Sequence, residues 1–122
     1  MIQNSTVDHI AILVDDLAIA KEWYVEKLNA EISYVDKKYV RLKLNNTNIA
    51  LIDKKHYPCA HIGILVEDIK DIPTDAGEVD YNRDGTVGVY VKDPFGNYLE
   101  YIWYSDEQKK VFLSEWHTKK FD

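Results

Sequence analysis

Two histidines open two nearly identical stretches of this chain. The first reads His9-Ile-Ala-Ile-Leu-Val-Asp-Asp-Leu17 and the second His61-Ile-Gly-Ile-Leu-Val-Glu-Asp-Ile69, with six of nine positions identical. A repeat of this kind signals one structural unit used twice. Equivalent histidines on equivalent strands can converge on one point. The ends of the two halves overlay as well. Asn48-Ile-Ala-Leu-Ile52 matches Tyr98-Leu-Glu-Tyr-Ile102, which sets Glu100 against Ala50. A carboxylate among Leu99, Tyr101 and Ile102 is costly unless it is paired or binds a cation. Two imidazoles and one carboxylate, with neighbouring positions open, suit a divalent transition metal. Three protein ligands leave room for two substrate oxygens, which is where Lewis-acid catalysis begins. Taken singly, each residue has a plainer reading: a hydrogen-bonded histidine at a strand start, or a glutamate reaching solvent from a sheet edge.

The elements that must position these residues follow from periodicity. Residues 7–14 are mostly apolar around His9, which suits a strand covered on both faces. Ile10, Ile12 and Val14 point one way, and His9, Ala11 and Leu13 the other. Asp15 or Asp16 supplies an N-cap for a helix over 17–28, with Leu17, Ala20, Tyr24 and Leu28 on its apolar face. Asn29 takes the left-handed position after it. Strands are expected over 30–34, 39–44 and 47–52, with Asn45-Asn46 as a turn. Module one, about 5–53, therefore reads β-α-β-β-β.

A connector with Pro58 leads to module two, about 60–104. Its strand at 61–66 is followed by room for one helical turn only, because Pro73 interrupts 69–75. Strands at 78–82 and 86–91 flank the turn Arg83-Asp84-Gly85. The tight turn Asp93-Pro-Phe-Gly-Asn97 leads into the last strand, 98–103. Ser105 and Gln108 make a capping box for a C-terminal helix over about 105–118, with Val111, Phe112 and Trp116 on its apolar side. The whole, 1–122, is expected to be one α+β domain.

Composition narrows the partners. The formal net charge is −6, from 15 basic and 21 acidic residues, which argues against a nucleic-acid footprint. No apolar run approaches a membrane span, and no signal-peptide core is present. The single cysteine, Cys59, has no internal disulfide partner, so a cytoplasmic setting is expected. Beside Pro58, it reads as a linker residue rather than a nucleophile.

The segments His9–Leu17, Ala20-Lys-Glu-Trp-Tyr-Val-Glu-Lys-Leu28, His61–Val66 and Val91-Lys-Asp-Pro-Phe-Gly-Asn-Tyr-Leu-Glu100 resemble the vicinal oxygen chelate superfamily. Its members include glyoxalase I, methylmalonyl-CoA epimerase, extradiol dioxygenases, fosfomycin thiol transferases and bleomycin-binding proteins. The resemblance spans about 7–104. It implies two βαβββ modules curled into a mixed-sheet cleft, here with a shortened second helix and an extra C-terminal one. It also implies a metal held by His9, His61 and Glu100, with Fe2+, Mn2+, Ni2+ or Zn2+ all compatible. Glyoxalase I and the epimerase are similar in using a fourth ligand from the last strand of module one, where this chain has Ala50. A homodimer is implied too, with His9 and the His61–Glu100 pair in one chain or shared between two.

Strand parity then extends the site. With His9 facing the cleft, Gly63 and Leu65 follow His61 there, Tyr98 and Ile102 flank Glu100, and Tyr39, Arg41, Lys43, Gly88 and Tyr90 face inward. Arg41, Lys43, Asn48, Tyr90 and Tyr98 are the expected substrate contacts. Arg41, one of two arginines, suits an anionic group. His56 is weighed as a proton carrier against an ordinary loop histidine, and His117 matters only if the tail closes the cleft. The catalytic base is not assigned. Two functions follow: a metal-dependent enzyme acting on a small substrate with neighbouring oxygens, or a non-catalytic protein that sequesters a small molecule in the same cleft.

Overall fold

The computed structural model describes residues 5–75, 77–81 and 86–106. The turn expected at Arg83-Asp84-Gly85 lies outside the described residues, as does the C-terminal helix beyond Ser105 and Asp106, with Val111, Phe112, Trp116 and His117.

Module one comprises β1 (Thr6–Val14), α1 (Leu17–Leu28), β2 (Glu31–Val35), β3 (Tyr39–Lys43) and β4 (Asn48–Asp53). Module two comprises β5 (His61–Val66), a single 3-10 turn (Ile69–Asp71), β6 (Val79–Tyr81), β7 (Thr86–Lys92) and β8 (Tyr98–Tyr104). The expected strand bounds move by about one residue. Helix α1 begins where Asp16 accepts a hydrogen bond from the Ile19 amide, and ends at Asn29 with φ 52° and ψ 40°. Asn tolerates that left-handed geometry better than other residues with a Cβ.

The strands form one eight-stranded sheet in the order β2-β3-β4-β1-β5-β8-β7-β6. Within each module the first and last strands run parallel, β1 beside β4 and β5 beside β8. The modules meet where β1 and β5 run antiparallel. The sheet curls: Tyr34 of β2 packs against the Ile102 and Tyr104 cluster of β8, from the far side of the strand order. This curvature makes the cleft, and the two histidine strands lie at its centre.

On the outer side of module one, Leu17, Ala20, Tyr24 and Val25 of α1 pack on Val40, Leu42, Ile49 and Leu51. Val25 takes the place expected of Leu28, which is 43% exposed. Trp23 is half-exposed with its ring edge against Tyr24. Module two has no equivalent helix, and Val66, Ile72 and Val89 make its smaller core with Val79, Val91, Tyr101 and Trp103. Ile10 and Ile62, paired across the seam, remain about 40% exposed, so β1 is not covered on both faces as its apolar run suggests.

Candidate metal centre

The last strand of module two is aimed by the turn before it. Asp93 Oδ1 accepts from the amides of Phe95 and Asn97, and its Oδ2 accepts from the Asn97 side chain. Gly96, at φ 91°, completes the reversal. Strand β8 then pairs with β5 so that Glu100 stands beside Gly63. On β1, His9 is likewise the partner of Gly63, while His61 is opposite Ala11. A Cβ on Gly63 would run into the His9 ring, and one on Gly88 would lie 2.8 Å from Glu100 Oε2. Both glycines therefore make space for the residues that the cleft gathers.

His9 Nε2 and His61 Nε2 lie 3.2 Å apart, and Glu100 Oε1 is 3.3 Å from each. All three side chains are buried and belong to one chain. With metal–ligand bonds of about 2.1 Å, neighbouring ligand atoms stand about 3.0 Å apart at octahedral angles and about 3.4 Å apart at tetrahedral ones. The observed triangle falls between these values. Two imidazole nitrogens this close repel through their lone pairs unless a proton or a cation stands between them. The donor set and its spacing thus fit a divalent ion.

The surrounding charges are consistent. Burial pushes the Glu100 carboxyl up, but hydrogen bonds from His61 and His9 outweigh it and hold it down at about 2. Burial pushes His9 down, yet its hydrogen bonds to Asp8 and Glu100 outweigh that and raise it above 6.5. Without a metal, these hydrogen bonds favour a protonated His9 beside an ionised Glu100.

Asp8 is the residue that sequence reasoning missed. Strict alternation would turn it away from His9. However, the β1–β5 register shifts between Val7 and His9, a bulge that turns two consecutive residues inward. Asp8 Oδ2 accepts from His9 Nδ1 at 2.8 Å, from Tyr104 Oη at 2.7 Å and from Arg41 Nη2 at 3.1 Å. Burial pushes Asp8 up, but His9 and Arg41 hold it well below the usual carboxylate range. His61 has a weaker counterpart: its Nδ1 faces the Cys59 carbonyl at 3.4 Å. The Cys59 thiol is pushed up by burial and by Glu100, which disfavours a thiolate.

The cleft above the triad has a volume of about 340 Å³. Its walls include Tyr39, Arg41, Ala50, Tyr90 and Tyr104, with the half-buried Lys38 and exposed His56. Tyr90 packs its ring edge against His61. Burial, then the charge of Glu100, pushes Tyr90 up, so it stays a neutral donor. Of the expected substrate contacts, Arg41 and Tyr90 thus line the cleft, but Arg41 is buried and turned to Asp8.

The other three lie elsewhere. Lys43 stands in a separate depression with Leu28, Asn29 and Glu31. Asn48 is buried and donates to the Asp8 carbonyl at 3.0 Å. Tyr98 lines a neighbouring depression that Tyr90 shares, with Pro58, Glu78 and Asp80, beneath Lys92. Parity gives a side chain's face but not its distance along the strand from the triad.

Comparison with known proteins agrees with this architecture. The description of the Glyoxalase/Bleomycin resistance protein/Dioxygenase superfamily matches residues 6–101. Among solved structures, methylmalonyl-CoA epimerase from Mycobacterium tuberculosis superposes with a TM-score of 0.66 at 16% identity, over 84% of this chain and 89% of that one. A superfamily member from Vibrio splendidus 12B01 gives 0.60 at 16% identity, over 82% and 99%. A Streptomyces coelicolor methylmalonyl-CoA epimerase in complex with 2-nitronate-propionyl-CoA gives 0.64 at 18% identity, over 83% and 95%. No curated protein matches. At these identities the structures speak for the fold, and the family match covers all three triad residues: the chain belongs to the glyoxalase/bleomycin resistance protein/dioxygenase superfamily.

Proposed function

We propose that this chain is a divalent-metal-dependent enzyme acting on a small substrate that presents two neighbouring oxygens to the ion. The observation that carries the reading is the buried triangle of His9, His61 and Glu100 ligand atoms, 3.2–3.3 Å on a side, at the floor of the cleft. A divalent ion held there would polarise the substrate oxygens and stabilise charge developing on them. His9 and His61 supply neutral donors, and Glu100 supplies one negative charge. Ala50 leaves the module-one side of the floor without a fourth ligand, so this reading favours a three-ligand site over that of glyoxalase I or the epimerase. Tyr90 offers its hydroxyl hydrogen to a bound oxygen, and Lys38 gives the cleft mouth cationic character suited to an anionic substrate. His56, outside the triad, is the proposed proton carrier.

Metal analysis of protein purified without chelators tests the reading, followed by binding of a catechol-type chelator as a substrate mimic. The expected result is about one ion per chain, chelator binding only with the ion present, and loss of both in His61→Ala. A chain that cannot be loaded with metal, yet binds small molecules equally well with and without His61, would be a sequestering protein instead.

A further inference from the structure

The two histidines of the centre are supported unequally, and the inequality starts from one extra residue in β1. The bulge between Val7 and His9 brings Asp8 onto the same side as the ligand beside it. Three donors from three strands then meet on a single oxygen, Asp8 Oδ2: His9 of β1, Arg41 of β3 and Tyr104 of β8. Asn48 of β4 holds the bulge itself through the Asp8 carbonyl. Module two has Ala60 in the corresponding place and offers His61 only a backbone carbonyl.

We propose that Asp8 is a positioning residue for the metal centre: it keeps the His9 proton on Nδ1, so that the Nε2 lone pair points at the ion, and Arg41 and Tyr104 hold Asp8 in place to do so. A neutral imidazole has one proton to place. A carboxylate at Nδ1 retains it there and makes Nε2 more basic. Without that acceptor the proton moves readily to Nε2, where it meets Glu100 Oε1 and occupies the direction the ion needs. An Asp8–Arg41 pair of purely structural value would need neither a bulge next to a ligand nor its shared oxygen turned toward the imidazole. Arg41, expected to bind substrate, thus acts through Asp8.

The inference rests on the metal reading above, but its test has a readout that does not. In metal-free protein at alkaline pH, long-range proton–nitrogen NMR reports which His9 nitrogen is protonated. Cobalt titration then reports affinity. The variants are Asp8→Asn, and Asp8→Leu combined with Arg41→Met, which replaces the buried pair with apolar groups so that no charge is stranded. Wild type is expected to show Nδ1–H at His9. The double variant should shift His9 toward Nε2–H, leave the His61 signals in place and weaken cobalt binding by about tenfold to a hundredfold, whereas Asp8→Asn, whose amide oxygen can still accept from Nδ1–H, should show smaller changes in the same direction. The proposal is overturned if the folded double variant keeps the wild-type His9 nitrogen shifts and binds cobalt within about twofold of wild type, however far its melting temperature falls. A wild-type chain that binds no cobalt would sink the metal reading, and the nitrogen shifts alone would then decide the role of Asp8.

Discussion

The two modules repeat one pattern but contribute unequally to the His9, His61 and Glu100 cluster. Module one holds its histidine with a buried carboxylate and leaves Ala50 where module two places Glu100. Module two contributes the carboxylate of the cluster, and the Nδ1 of its histidine faces a backbone carbonyl at 3.4 Å. The same division runs through the scaffold. Module one carries a 12-residue helix over its outer face, whereas module two has three residues of 3-10 turn. Even the paired positions differ: His9 lies across from Gly63, and His61 across from Ala11, because only one ring lies where a Cβ would stand. Pseudo-symmetry brought the two histidines together, and departures from it left Ala50 rather than a second carboxylate on the module-one side of the cluster.

The largest effect should come from removing what only module two provides. Glu100→Ala is expected to lower cobalt or zinc affinity by more than about a hundredfold, beyond the loss usual for a supporting residue. Isothermal titration measures it, and a loss of tenfold or less would make Glu100 a neighbour rather than a ligand. Swapping the paired small residues should come next. Gly63→Ala must displace the His9 ring and weaken metal binding by about tenfold to a hundredfold, the scale of a misoriented ligand. The reverse change, Ala11→Gly, should cost about 1 kcal/mol of stability and leave affinity alone. Equal effects of the two swaps would erase the asymmetry.

The modules should also respond oppositely to pH in the metal-free chain. Glu100 is held at about 2 against an ordinary 4.5, so its contribution is present above 4.5 and is lost as pH falls toward 2. His9 is raised above 6.5, so its contribution is full below 6.5 and disappears as pH rises through the raised value. Metal-free protein should therefore be most stable between about pH 4.5 and 6.5, and metal should shift that optimum upward by replacing the proton. Urea unfolding with and without chelator checks this; metal-free stability that climbs steadily from pH 6 to about 9 would contradict it.

The smallest contrast lies in the caps. Asp16→Ala should cost about 1 kcal/mol, because it ends a helix packed on the core. Asp68→Ala, capping only the 3-10 turn through the Lys70 amide, should cost less than half as much. Denaturant midpoints with unchanged slopes distinguish the two.

Much of the frame was legible in the chain itself. The duplicated segment predicted paired strands with convergent histidines, and Glu100 stood out as a carboxylate among apolar neighbours. Asp16 and Asn29 marked the limits of α1, and Pro73 forbade a second helix of similar length. These are local signals: side-chain alternation, capping chemistry and the fixed φ of proline act over a few residues.

What sequence left undetermined depends on register and on distance between strands. Parity counting assumes an unbroken ladder, so it could not show that β1 bulges and turns Asp8 inward beside His9. Nor could it say that Tyr104 reaches the same carboxylate, since that contact needs the sheet to curl until β8 faces β3 and β1. Nor could it show that Lys43 and Tyr98 line depressions other than the cleft above the triad, Tyr98 in one that Tyr90 shares, or that Asn48 is spent on the Asp8 carbonyl. The sequence by itself determined the elements, the duplication and the three residue types that meet in the cluster. Only the tertiary structure decided which polar groups share one buried volume, because desolvation and hydrogen bonding act through space, between residues as far apart in the chain as Asp8 and Tyr104.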